Sequence, residues 1–342
     1  MRILVLGGTR FLGSFFAEQA LARGHELTLL HRGVSNVGDL AGARQLHGDR
    51  RDGHALLAGQ AFDAVVDTSG YTPGVVGDAA RTLVPSVEHY MFVSSISAYA
   101  NPDRRGLVEE DALLELPPAI EAAATQDLHW TLDLQYYGGL KAAAERVVSA
   151  SFGSQRTTIV RPGLIVGPRD PSYRFMHWVE RLATAERVLA PAPPLAPAQI
   201  VDARDLAAFM LGLVEQRRDG VFNATGDSMT MSAMLASIAE GVHSRAALTW
   251  VGSEFLVEQG VEPWTGLPLW LPVGSGAEGI NEVSNARARA AGMPQRSVRD
   301  TARDALAWLR ALPVDAQPKR VSLGIERERE LLALWEPRGA IN

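Results

Sequence analysis

Tyr137 and Lys141 stand four residues apart in Tyr137-Gly138-Gly139-Leu140-Lys141, a spacing that puts both side chains on one face of a helix. Six tyrosines and two lysines scattered through 342 residues would give about 0.04 such pairs by chance. The other 31 of the 33 basic residues are arginine, so a chain that uses arginine almost everywhere keeps lysine here. The chemistry of the pair is specific. An ammonium point charge, beside a cofactor ribose and a cationic nicotinamide, favours phenolate and brings Tyr137 toward a usable acid/base pKa. Tyr137 would then exchange a proton with a substrate oxygen as hydride moves to or from the ring. Ser95, in Phe92-Val93-Ser94-Ser95-Ile96-Ser97-Ala98-Tyr99, is placed to hold that oxygen by a hydrogen bond.

A second constellation lies at the start. Gly7-Gly8-Thr9-Arg10-Phe11-Leu12-Gly13 leaves a short apolar run and opens a helical one, the setting in which glycines let a pyrophosphate approach a helix N-terminus. Cofactor contacts are expected from Gly7, Thr9, Arg10, Phe11, Leu12 and Gly13. Where an NAD-specific chain often ends its second strand in Asp or Glu for the ribose hydroxyls, this one has Leu30-His31-Arg32. Arg32, with Arg10 as the other half of a guanidinium clamp, suits a 2′-phosphate, so NADP is expected ahead of NAD. Asp49 and Arg50, after the third strand, are expected near the adenine. Thr68, in Asp67-Thr68-Ser69-Gly70, would leave room for the cofactor backbone.

The elements that must position these groups alternate. Strands are expected at 3–6, 26–30, 44–47, 63–67, 89–93 and 157–161, and helices at 53–59, 74–84 and 137–150, which implies an α/β chain with a parallel sheet. Gly24 marks a left-handed helix cap. Right-handed crossovers then bring the carboxyl ends of the strands, and the motifs, to one edge. About forty residues between Ser95 and Tyr136 exceed a simple connection and are expected to form a substrate-facing lobe. Within them Glu109, Glu110 and Asp111 read as a solvated face, and Pro117-Pro118 as turn or surface.

From Pro168 the composition shifts. PAPPLAPAQ at 191–199 reads as a proline-rich connection, 199–214 as strand then helix, 220–226 as another strand, and 298–311 and 322–336 as amphipathic helices. Trp264, Leu267, Leu269 and Trp270 are expected in the core, with pocket lining as the alternative.

GGTRFLG, SSISAY, YGGLK, RPGLIVGP and DARDLA occur in that order over about 1–230, and with them the chain resembles the extended short-chain dehydrogenase/reductase family of NAD-dependent epimerase/dehydratase type. The resemblance implies a Rossmann-like, doubly wound parallel sheet with a smaller, interleaved C-terminal substrate lobe. It implies a domain over 1–167 to which 199–226 returns, and a substrate-binding part over 168–198 and 227–342. It implies a catalytic set of Ser95, Tyr137 and Lys141, a cofactor contact at Pro162, and a homodimer. Departures narrow the chemistry. Ile96 and Ser97 replace the Asp-Glu of dehydratases, which disfavours elimination of water. Val166 and Pro197-Ala198 stand where nucleotide-sugar members carry Tyr and Arg, leaving Arg169, Arg174 or Arg181 as substitute clamps.

The composition excludes several classes. With no cysteine there is no disulfide, thiolate metal site or cysteine nucleophile. The eight histidines show no HxxxH or HExxH spacing, so no metal is expected, and His129 and His177 read as structural. A net charge of −6, with no basic run longer than two, argues against nucleic acid. Four apolar residues after Arg2 are too few for a signal sequence and no run of 18 apolar residues occurs, so no membrane association and a cytoplasmic location are expected. The expected function is an NAD(P)-dependent oxidoreductase acting on a carbonyl or alcohol of a small molecule. An epimerase that retains its cofactor, and a non-catalytic cofactor-sensing or RNA-binding protein, are the alternatives.

Overall fold

The computed structural model describes residues 1–34, 40–52, 54–57, 59–318 and 322–339. Its centre is a seven-stranded parallel sheet. The chain runs β1 (Arg2–Leu6), α1 (Phe11–Ala22), β2 (Glu26–His31), β3 (Arg44–His47), β4 (Phe62–Asp67), α2 (Pro73–Leu83), β5 (Val87–Val93), α3 (Pro118–Gln126), α4 (Tyr137–Phe152) and β6 (Thr157–Pro162). After β7 (Leu164–Val166), α5 (Arg174–Thr184), β8 (Arg187–Pro191), β9 (Pro197–Ala198), β10 (Ile200–Asp202) and α6 (Ala203–Glu215), β11 (Gly220–Ala224) returns to the sheet. The strand order is β11-β6-β5-β4-β1-β2-β3. β1 opens the sheet in both directions, so the topological switch, and with it the ligand crevice, lies at the carboxyl ends of β1 and β4.

These strands form because they are buried on both faces. Ile3-Leu4-Val5-Leu6 are all inaccessible to solvent, as a parallel strand covered by helices requires. α1 and α6 cover one face, packing Phe16, Ala17, Leu206 and Met210 on Val5 and Val66. α2 and α4 cover the other with Val76, Leu83, Ala144 and Val148. α1 stops at Gly24, whose φ of +78° is the left-handed cap expected.

The remainder, β12 (Met229–Thr230), α7 (Met231–Gly241), β13 (Ala247–Val251), α8 (Ser253–Glu258), α9 (Ala286–Ala290), α10 (Val298–Ala311) and α11 (Ile325–Gly339), follows β11. β8 pairs with β13 and β9 with β12 in small sheets. Their helices enclose a separate core around Trp178 and Trp270. Leu267, Leu269 and Trp270 belong to it and Trp264 packs on its edge, so core packing prevails over pocket lining.

Several local expectations are corrected. In place of a helix over 53–59, His54–Leu57 makes one 3-10 turn, with 53 and 58 outside the described residues. The 191–199 segment carries strand ends as well as turns. Within the segment between Ser95 and Tyr136, residues 118–126 fold as α3, and Ala124 joins Leu116, Leu140 and Ala143 in a small core. Glu109 is buried, contrary to a solvated face, because its carboxylate accepts from the Asn223 amide at 2.9 Å.

Candidate active site

The glycine loop is built by close approach. Gly7 leaves β1 with φ +103°, and a Cβ there would lie 2.7 Å from Thr68 Oγ1 at the end of β4. A Cβ on Gly13, in the first turn of α1, would lie 2.7 Å from Gly8 Cα. The loop therefore folds flat against both strand ends, a cradle that side chains would fill. Arg10 caps α1 without a side-chain capping bond, and the first turn holds no acidic residue, so amides of that turn stay open to an anion. Thr9 and Phe11 are half-buried, Leu12 is in the core, and Arg10 and Arg32 are exposed. This geometry fits a dinucleotide pyrophosphate.

Two expected cofactor contacts are used differently. The Asp49 carboxylate bonds the Arg51 amide at 2.9 Å and the Arg51 guanidinium, chiefly Nη2 at 2.5 Å, which holds its pKa down to about 2. Arg50, expected near the adenine, is held in place by the carboxylate at the end of β4. Its two terminal nitrogens clamp both Asp67 oxygens at 2.7 Å, and one also reaches Ser69 Oγ at 3.1 Å. Tyr90 donates its hydroxyl to the same carboxylate at 2.9 Å. Burial alone would raise the Asp67 pKa; Arg50 overrides it and holds the carboxyl below its ordinary value.

Ser95, Tyr137 and Lys141 come together at the carboxyl edge of β4 and β5. Ser95 follows β5, and its Oγ accepts from the Ser97 amide at 3.1 Å and stands near enough to Tyr137 to act on its phenol. The glycine after Tyr137 makes this possible, since a Cβ on Gly138 would overlap the Ser97 carbonyl oxygen. One turn along α4, Lys141 Nζ donates to the carbonyls of Gly70 at 2.6 Å and Val93 at 2.8 Å, spending two of its three donors. It lies 5.1 Å from the Tyr71 ring centroid and 6.0 Å from that of Tyr137. Pro162, buried, ends β6 nearby in the sheet.

Burial pushes the Lys141 pKa down from 10.5 to about 8, against the pull of Asp67. The folded state thus holds this proton less tightly than the unfolded state between about pH 8 and 10.5, and stability rises with pH across that window, by up to about 3 kcal/mol. Urea unfolding of wild type and Lys141→Met at pH 7 and pH 10 checks this. The difference should shift in favour of the wild type at pH 10, and a pH-independent difference would contradict it.

Burial raises the Tyr137 pKa, and the groups that oppose the rise are the nearby Ser95 hydroxyl and the charge of Arg174. Lys141 is not the opposing cation in this arrangement.

Sequence reasoning missed the anchor of α4. Glu145, one more turn on from Lys141, bonds Ser94 Oγ and takes Arg161 at 2.7 Å, all of them buried. Its signal was the repeat of four that links 137, 141 and 145. Among the histidines, His177 is buried with Nδ1 on Ser322 Oγ at 2.8 Å, and His129 is exposed.

A family model described as the NAD dependent epimerase/dehydratase family matches residues 3–225. The chloroplast stem-loop binding protein of 41 kDa b of Arabidopsis thaliana is 26% identical over 244 residues, covering 66% of this chain; the match spans 59% of that protein's length. A dTDP-6-deoxy-L-talose 4-dehydrogenase (NAD(P)(+)) of Kitasatospora kifunensis is 26% identical over 252 residues, 70% of this chain and 78% of that one. Among solved structures, UDP-glucuronic acid 4-epimerase from Bacillus cereus in complex with NAD is similar in fold, with a TM-score of 0.65 at 14% identity, covering 92% of this chain and 97% of that one. Among the described residues no helix is long and apolar enough to cross a membrane.

Proposed function

Because the chain belongs to the NAD dependent epimerase/dehydratase family, a family of enzymes, we propose that it is an NADP(H)-dependent reductase of the extended short-chain dehydrogenase/reductase type. In this reading a carbonyl of a small molecule becomes an alcohol through Ser95, Tyr137 and Lys141. The seating of Lys141 on the Gly70 and Val93 carbonyls one turn from Tyr137, beside the strand end on which Gly7 packs, is the observation that carries it. When bound, the nicotinamide supplies the hydride to the carbonyl carbon. Ser95 holds the carbonyl oxygen, and Tyr137 donates its hydroxyl proton to it. Burial raises the Tyr137 pKa, in keeping with a protonated phenol as the donor. Lys141 bridges the ends of β4 and β5 through the Gly70 and Val93 carbonyls, and its remaining donor would hold the ribose of a bound cofactor. Residues 168–198 and 227–342 form the substrate-binding part.

NADP is favoured because the end of β2 offers Arg32 and no carboxylate at the position of its cap, while Arg10 stands exposed in the loop. Asp49, whose charge Arg32 also feels, is already satisfied by Arg51. Titration of wild type and Arg32→Ala with NADPH and NADH, followed by cofactor fluorescence, tests this. NADPH affinity should fall about tenfold to a hundredfold in the variant, the worth of a charge-assisted hydrogen bond, with NADH little changed. Tighter NADH binding by the wild type would overturn the NADP assignment. Binding without net NADPH consumption, but with inversion of an alcohol centre, would favour the retained-cofactor epimerase. The Arabidopsis relative, a stem-loop binding protein by name, supports nucleic-acid binding as the rival reading. The net charge of −6 weighs against it, and a salt-sensitive shift of a stem-loop RNA would revive it.

A further inference from the structure

Three arginines follow RPGLIVGP, and the structure separates them. Arg169 is paired with Glu18 at 2.5 Å and lies over the Phe15 ring. Arg181 is paired with Glu328 at 2.6 Å, where both side chains are largely buried. Arg174, the first residue of α5, has neither kind of partner. Its Nε donates to Ser172 Oγ at 3.0 Å, and no carboxylate forms an ion pair with it. Both of its terminal nitrogens lack a hydrogen-bond partner among the described residues, and neither is sealed from solvent. The guanidinium is nonetheless half-buried, and close enough to Tyr137 for its charge to act on the phenol.

The electrostatics agree with this geometry. The shifted arginines at 50, 51, 161, 204, 287 and 303 are all raised by carboxylates, whereas Arg174 is pushed below its ordinary value by burial that Asp170 and Tyr137 do not offset. Asp170 holds the Ser172 amide at 2.8 Å through Oδ1 and buries Oδ2 without a partner, so its carboxylate does not close on the arginine. The first turn of α5 contains no acidic residue. A guanidinium with both terminal nitrogens open is a two-pronged receptor for a planar or tetrahedral oxyanion.

We infer that Arg174 selects the substrate, receiving a carboxylate or phosphoryl group carried by the same molecule whose carbonyl Ser95 and Tyr137 hold. The carbonyl half of this statement rests on the reductase reading; the anion half does not.

The test uses protein saturated with NADP+, so that the glycine cradle is filled, titrated separately with malonate and with inorganic phosphate and followed by thermal shift. One of the two anions should stabilise the wild type and Tyr137→Phe alike. Its affinity should fall about tenfold to a hundredfold in Arg174→Gln and return in part in Arg174→Lys. A response to malonate assigns a carboxylate substrate and a response to phosphate a phosphorylated one. Binding of neither anion, or equal binding by Arg174→Gln, would overturn the inference. Should Arg174→Gln fail to hold NADP+, Arg174→Met takes its place in the comparison. A second arm measures kcat/KM with NADPH for carbonyl compounds that differ only in an added anionic group. The wild type should favour the anionic member at least about tenfold, and Arg174→Gln should level the two. Anion binding through Arg174 with no NADPH consumption would sink the reductase reading and uphold the anion site. Consumption with equal kcat/KM for both members would do the reverse.

Discussion

Tyr137→Phe should lower kcat for carbonyl reduction by about two to four orders of magnitude, the usual contribution of a positioned proton donor. NADPH binding should survive, because the cradle is formed by Gly7, Gly8, Gly13 and Thr68, and the phenol plays no part in it. Stopped-flow absorbance of NADPH with the best carbonyl substrate measures the first quantity and cofactor fluorescence the second. Phenylalanine keeps the ring and its burial, so only the hydroxyl and its proton are removed. Retention of more than about a tenth of wild-type kcat would mean that another group supplies the proton. Tyr71, whose ring lies over Lys141, would be the next residue to substitute.

Asp67→Asn should cost about 3–5 kcal/mol of stability, because it leaves Arg50 cationic and without its partner carboxylate in the interior. Asp67 is wholly inaccessible, clamped through both oxygens, and also accepts from Tyr90 and from the Ser69 amide at 3.1 Å. The midpoint of urea unfolding at constant slope is the measurement. Arg50→Met should destabilise as well. The double variant Asp67→Leu/Arg50→Met should lose less than the two single losses together, since no uncompensated charge remains. A loss under about 1 kcal/mol for Asp67→Asn would show that water reaches the pair and screens it.

The alternation of strands and helices was legible because the buried strands are near-continuous apolar runs and the turns after β1 and α1 carry glycine, at Gly7, Gly8 and Gly24, where φ is positive. The face shared by Tyr137 and Lys141 was legible for the same reason, since a spacing of four is a local property of a helix. Partnerships that cross the sequence were not. Arg50 and Asp67 lie on different strand ends, so each read as a separate cofactor contact or turn. Glu109 read as solvated because its partner, Asn223, is 114 residues away. Pro117-Pro118 read as turn or surface, and both are exposed; what the pair did not disclose is that Pro118 opens α3, where a missing N–H costs a helix nothing. The burial that raises the Tyr137 pKa was not legible, because it depends on α4 packing against the 95–98 turn, which no single segment encodes.

That packing has a mechanical consequence. Gly138 presses bare backbone onto the Ser97 carbonyl, so there is no side chain in between to absorb a change in spacing. Tyr137, Lys141 and Glu145 ride on one rigid helix and share its displacement. A movement of about 1 Å, of the size that can cost a hundredfold in rate, would part the proton donor from Ser95, the ammonium from two carbonyls and the carboxylate from Arg161 at once. The tolerance of the active site is therefore set by the thickness of a peptide backbone, and drift at any point along α4 is felt at all three stations.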